Sequence, residues 1–181
     1  MLRANWPQEI VERFVTAVCV AAGDSEGAAV VPEALARPDA IFCAGGREPL
    51  DDCAASIVAA LLSAAGGGVK LETSDALAVD RFFASEIGSH GLICICFLGA
   101  PRTSRIRYIA RRIRRKAPAT PILICVLGDE AFQIPRDLEE AGVEVVVSLA
   151  AAIGFAIKPP PPACLSPASA NFAEPAVVGS A

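Results

Sequence analysis

From Asp39 onward, short apolar runs alternate with longer stretches whose apolar residues recur at helical spacing. "AIFCAG" has no polar interruption and predicts a strand buried on both faces. In "PLDDCAASIVAALLSAAG", Leu50, Ala54, Ile57, Val58, Leu61 and Leu62 fall on one side of a helix. "GGVKLETS" alternates Val69, Leu71 and Thr73 with Lys70 and Glu72, the pattern of a half-exposed edge strand. "DALAVDRFFASEIGSHG" reads as a helix capped by Asp75 and stopped by Gly88 or Gly91. "LICICFLG" is the third and most apolar strand. "RTSRIRYIARRIRRKAP" is a helix starting at Thr103 or Ser104 and ending before Pro118, with Ile106, Ile109, Ala110 and Ile113 as its inward stripe. "PILICVLGD", a short helix from about Pro135 in "AFQIPRDLEEAG", and "VEVVVSL" complete the series.

Strand and helix in strict alternation, with continuous apolar strands at the centre, predict an α/β fold: a doubly wound, five-stranded parallel sheet covered on both faces. Right-handed crossovers favour the flavodoxin-like, Rossmann-like order 2-1-3-4-5, which places the half-exposed second strand at an edge. The α/β domain is expected over residues 39–154. Residues 1–38 read as an N-terminal helix from Trp6 to Ala22, with Pro7 in its first turn, and a linker punctuated by Gly23, Gly27, Pro32 and Pro38. Residues 155–181, rich in Pro, Ala and Ser, read as a disordered tail.

The chain of 181 residues is 54% hydrophobic but only 6% aromatic, so small aliphatic residues carry the apolar excess. No uninterrupted run reaches the about 20 residues of a spanning helix, and Glu9 and Glu12 break any secretory signal. A cytoplasmic chain is the expectation. Seven cysteines without a Cys-x-x-Cys pair, and a single histidine, His90, give no zinc site of ordinary ligand spacing. Buried thiols in a reducing compartment, with no metal and no cofactor, are expected instead. His90 reads as a surface or capping residue at a helix end.

The formal charge of −4 hides an asymmetry: eight of the 16 basic residues lie between Arg102 and Lys116, with no acid among them. The chain is an acidic body with one basic helix. Arg105, Arg107, Arg111, Arg112, Arg114 and Arg115 fan around the apolar stripe. Either they form a solvated outer face, or they contact an acidic protein partner or an anionic membrane surface. Nucleic acid is disfavoured, because the body is acidic and no aromatic stacking platform accompanies the arginines.

Ligands of open parallel sheets bind beyond the strand carboxyl ends, where the strand order reverses. The loops there contain Gly45, Gly46, Arg47, Gly99, Thr103, Ser104 and Gly128, which form the candidate ligand rim. In "AGGREPLDD", Asp51 and Asp52 occupy the first helical turn and repel a phosphate that its amides would otherwise attract. Neither a GxGxxG nor a GxxxxGK[ST] motif is present. The glycines therefore read as a tight turn capped by its own acids, with Arg47 pairing locally. No catalytic constellation emerges; an enzyme centred on Cys43 or Asp51 is the least favoured alternative.

"IFCAGGREPLDDCAASIVAALL", "GLICICFLGAPRTSRIRYIARRIRRKAPATPILICVLGDE" and "GVEVVVSLAAAI" together resemble the soluble domain C-terminal to the membrane part in some bacterial transporters of the autoinducer-2 exporter family. The resemblance runs from about Asp39 to Ile153 and implies a non-enzymatic regulatory or interaction domain associated with a transporter. It carries over no catalytic residue, and without a membrane part the chain is expected to be a free-standing relative, a split subunit or a truncated gene. The sheet also looks like a cobalamin-binding domain or a response-regulator receiver. The first loop lacks the cobalamin histidine, however, and "FLGAP" lacks the receiver's aspartate.

Overall fold

Strands that are apolar on both faces need cover on both, and the chain supplies it with helices above and below one parallel sheet. The computed structural model describes residues 31–84, 86–129 and 131–157. Its strands are β1 (Ile41–Gly45), β2 (Val69–Glu72), β3 (Leu92–Leu98), β4 (Ile122–Leu127) and β5 (Val143–Val146). They pair in the order β2-β1-β3-β4-β5, every neighbouring pair parallel. This is the doubly wound, flavodoxin-like arrangement, with its switch point between β1 and β3. The helices are α1 (Glu33–Ala36), α2 (Pro49–Ala64), α3 (Val79–Ala84), α4 (Thr103–Lys116), α5 (Arg136–Glu140) and α6 (Leu149–Ile157). None of those described is long and apolar enough to cross a membrane.

The two-residue period of the strands sorts their side chains into two cores. Ile41, Cys43, Leu92, Cys94, Cys96, Leu123 and Cys125 pack with Ala54, Ala55, Val58 and Leu62 of α2 and with Ala152, Ile153 and Ala156 of α6. Phe42, Ala44, Ile93, Ile95, Phe97, Ile122, Ile124 and Val126 pack with Ile106, Ile109, Ala110 and Ile113 of α4. Cysteine thus lies towards the alanine-rich helices, and the bulky residues lie towards the arginine helix. That helix buries the stripe its spacing predicts.

Several expectations are corrected. The helix expected over "DALAVDRFFASEIGSHG" is broken into a 3₁₀ turn (Ser74–Leu77), the six-residue α3 and a second 3₁₀ turn (Ile87–Ser89). Asp75 lies within the first turn and caps nothing there. Leu77, Phe82 and Ile87 must all reach the core. Steps of five residues rotate an α-helix by about 500°, too far to keep them on one face. Leu50, expected inward, is 63% exposed in the first turn of α2, at the sheet's carboxyl-end rim. Leu71 is also exposed on the edge strand β2.

The domain exceeds its expected bounds of 39–154 at both ends. Val31 donates its N–H to the Ala65 carbonyl (3.1 Å), and Leu35 of α1 is buried, so this part of the expected linker belongs to the core. α6 continues to Ile157 because Ala152, Ile153 and Ala156 recur at helical spacing and are all buried. His90 is a core residue rather than a surface one: it is buried, its Nδ1 meets the Asp39 carbonyl, and its ring lies 5.4 Å from that of Phe42. The expected helix from Trp6 to Ala22 and residues 158–181 lie outside the described residues.

Candidate functional site

At the switch point the chain leaves β1 through Gly45 and Gly46 and enters α2 at Pro49. Glu48 and Asp51 form a reciprocal capping box: the Glu48 side chain accepts the Asp51 N–H, and Asp51 Oδ2 accepts the Glu48 N–H at 3.0 Å. The same oxygen accepts the Arg47 N–H (2.9 Å), while Oδ1 accepts the N–H of Leu98 at the end of β3 (2.9 Å). One buried carboxylate therefore holds the first loop to the neighbouring strand. Asp52 reaches the other way, accepting the Ser74 N–H (2.6 Å) and hydroxyl (3.3 Å) beyond β2. With these acids in place, the α2 N-terminus carries its own anions.

The glycine pair is there for close packing. A Cβ on Gly45 would lie 2.2 Å from Asp52 Oδ1, and one on Gly46 would lie 2.0 Å from the Phe97 ring. The Gly46 N–H donates to the Cys96 carbonyl (2.8 Å), and its own carbonyl accepts from Arg105 (3.3 Å). Arg47 is exposed and pairs with Glu48 at 3.4 Å. Across the rim, Gly99 and Gly128 both have positive φ, +90° and +88°, and the Gly99 N–H donates to the Leu127 carbonyl (2.7 Å). A Cβ on Gly99 would meet nothing within 4 Å, so this half of the rim is open. Thr103 and Ser104 begin α4 beside it, and Arg102 at the N-cap makes no side-chain capping bond.

The structure thus brings Gly46 against Arg105 and Gly99 against Gly128, but it closes the first half of the rim and leaves the second open. Of the two residues considered for an enzyme, Cys43 is fully buried in the sheet, and both Asp51 oxygens are engaged by backbone N–H groups.

The arginines of α4 divide by helical angle. Beside the buried stripe, one flank carries Arg105, Arg112 and Lys116 towards the β1 side. Arg105 donates to Gly46 O, Arg112 to Leu77 O (2.7 Å) and Lys116 to Phe82 O (2.8 Å). The Arg112 guanidinium also lies 4.3 Å from the centre of the Phe82 ring and 5.3 Å from that of Tyr108. On the opposite flank, Arg107 makes a two-pronged pair with Asp137 of α5 (2.6 and 2.9 Å), and this hydrogen bond holds the Asp137 carboxyl below the usual range. Arg114 reaches three carbonyls, Pro118 (2.9 Å), Thr120 (2.8 Å) and Gly142 (2.9 Å). The outer line is Ser104, Tyr108, Arg111 and Arg115, with Arg111 half-buried and the other three exposed. Most of the arginines proposed from the sequence as a contact surface therefore have structural tasks as well.

Arg114 provides a direct check on that second task. A lysine has no planar fork and cannot span three carbonyls, so Arg114→Lys is expected to cost about 1–2 kcal/mol of stability despite keeping the charge. Urea unfolding measures it; an unchanged midpoint would show that the three bonds contribute nothing net.

Sequence spacing does not reveal the partners that make this arrangement. Phe82 lies 30 positions from Arg112, and Ser74 lies 22 from Asp52, so only the sheet's topology brings each pair together. Comparison of the chain with protein-family models, with curated proteins and with solved structures gave no match.

Proposed function

We propose that this chain is a non-enzymatic, cytoplasmic interaction domain whose arginine helix docks an acidic segment of a partner protein. The supporting observation is how α4 carries its charge. Arg105 and Arg114 donate to neutral backbone carbonyls, which fix the guanidinium groups without cancelling them. Arg111 and Arg115 share the outer line with the exposed Tyr108. A positive surface on a rigid helix loses little side-chain freedom on binding, and Tyr with Arg is the pairing that interface centres favour. The resemblance to a transporter's soluble domain agrees with such a role.

An acidic peptide suits this surface better than a lipid surface. Interfacial helices insert an apolar face, whereas the apolar stripe of α4 is buried against the sheet. The full chain titrated with a glutamate-rich peptide at low salt should bind, and binding should weaken steeply as salt rises. The Arg111→Gln, Arg115→Gln double variant should bind roughly five- to thirty-fold more weakly. Equal affinity of the double variant refutes the reading, as does binding to anionic vesicles but not to the peptide.

A second reading, a small-ligand sensor, is favoured by the open space before Gly99 and beside the start of α4. A metabolite screen that leaves the melting temperature unmoved counts against it.

A further inference from the structure

On the opposite sheet face from α4, sulfur occupies the middle of the core. Cys43 of β1, Cys94 and Cys96 of β3 and Cys125 of β4 are four of the five described cysteines, and all four are completely buried. Strand register sets Cys43 opposite Cys94 and Cys96 opposite Cys125. The two-residue period points all four the same way, into the core that also holds the alanines of α2 and α6.

The sulfurs converge. Sγ of Cys94 lies 3.8 Å from that of Cys96 and 3.7 Å from that of Cys125. The Cys43, Cys94 and Cys96 sulfurs all lie within 4.8 Å of one another. Metal–sulfur bonds of about 2.3 Å require sulfurs roughly 3.8–4.0 Å apart in tetrahedral or trigonal sites, so two edges already have that length. Hydrogen bonds from Cys125, Cys43 and Cys96 hold the Cys94 thiol well below its usual range. Cys94 is the central sulfur of the group, set opposite Cys43 and within reach of both Cys96 and Cys125.

We propose that Cys43, Cys94, Cys96 and Cys125 form an all-sulfur binding site for a soft monovalent metal ion, copper(I). Thiolate donors select copper(I), zinc(II) and iron–sulfur clusters; three sulfurs within 4.8 Å of one another leave no space for a cluster's irons and sulfides between them, so copper(I) and zinc(II) remain. Charge separates them. A closed zinc site on four thiolates leaves two net negative charges in the core, and such burial is costly without counter-charges. The buried polar side chains among the described residues are Asp51 and His90, neither of which belongs to this cluster. Copper(I) can be held by two thiolates with the neighbouring sulfurs left as neutral thiols, so a single net negative charge remains, one fewer than at the zinc site. Each thiol that becomes a thiolate ligand releases its proton to solvent.

Because all four sulfurs are sealed, the ion enters as the chain folds. The test therefore uses the full-length chain with Cys19, Cys53 and Cys164 replaced by serine, unfolded under reducing conditions. It is refolded without oxygen in the presence of copper(I) acetonitrile complex or of zinc chloride. The expected result is one copper per chain retained through desalting, with sulfur-only coordination in X-ray absorption and a raised melting temperature. Cys94→Ala in the same background should lower copper retention by roughly ten-fold or more. If that variant does not fold, the three-serine chain alone decides: failure to retain copper overturns the proposal. Retention of zinc in preference to copper, coordination through nitrogen or oxygen, or full retention by a folded Cys94→Ala variant also overturns it.

Discussion

Asp51→Ala is expected to lower the unfolding free energy by about 3–4 kcal/mol, a large part of the 5–15 kcal/mol that holds a typical domain. The carboxylate accepts three backbone N–H groups, those of Arg47, Glu48 and Leu98, and is itself buried. Hydrogen bonds to an ionised acceptor contribute about 1.5–3 kcal/mol each. The full sum is not expected, because Arg47, Glu48 and Leu98 are all exposed and water can reach their N–H groups once the side chain is gone. The bond to Leu98 adds a tether that a water molecule would not supply, since it joins the first loop to β3 across the switch point. Asp51→Asn should cost less, about 2 kcal/mol, because one amide oxygen remains while the NH₂ group faces a donor. Urea unfolding of both variants checks the order. A loss under about 1 kcal/mol for alanine would mean that the corner is held without this carboxylate.

Gly46→Ala is expected to cost about 1–3 kcal/mol through overpacking. The added methyl would lie 2.0 Å from the Phe97 ring, which is buried and has little room to move. Because the three atoms nearest to the added methyl all belong to the Phe97 ring, the conflict has a specific remedy. In the Phe97→Leu background the alanine should be tolerated far better, so a double-mutant cycle should return a favourable coupling of about 1 kcal/mol or more. Strict additivity in that cycle would place the cause elsewhere. Asp51→Ala and Gly46→Ala act at one corner but by opposite means, one by removing a partner and the other by adding an unwanted neighbour.

The elements could be read from the sequence wherever one physical demand acted on a segment. Ile106, Ile109, Ala110 and Ile113 recur at helical spacing, and all four are buried. The apolar strands "LICICFL" and "ILICVL" alternate with helices and sit at the sheet's centre, as β3 and β4. Where two demands competed, the pattern misleads. Around α3, helical spacing suggested one helix, but Leu77, Phe82 and Ile87 each had to reach the core at five-residue steps. At Val31 and Leu35, proline punctuation suggested a linker, yet the two side chains are buried beneath neighbouring elements.

The acids of the first loop show the same division at the level of chemistry. Their position in a helix's first turn was visible, and so was the consequence that they would disfavour a phosphate. That Asp51 also binds the Leu98 N–H, 47 positions away, was not visible, because the contact exists only once β1 and β3 lie side by side.

Periodicity and alternation, which are local and repeat along the chain, were enough to determine the α/β class, the strand order and the inward stripe of the arginine helix. The tertiary structure alone decided how Arg105, Arg107, Arg112 and Arg114 tie α4 to its neighbours. It also decided that Cys43, Cys94, Cys96 and Cys125, without any ligand-like spacing in the chain, meet as one sulfur cluster. The reason is that a parallel sheet brings residues from distant strands to about 4.8 Å separation, so its chemistry lies across the strands, where sequence spacing carries no record of it.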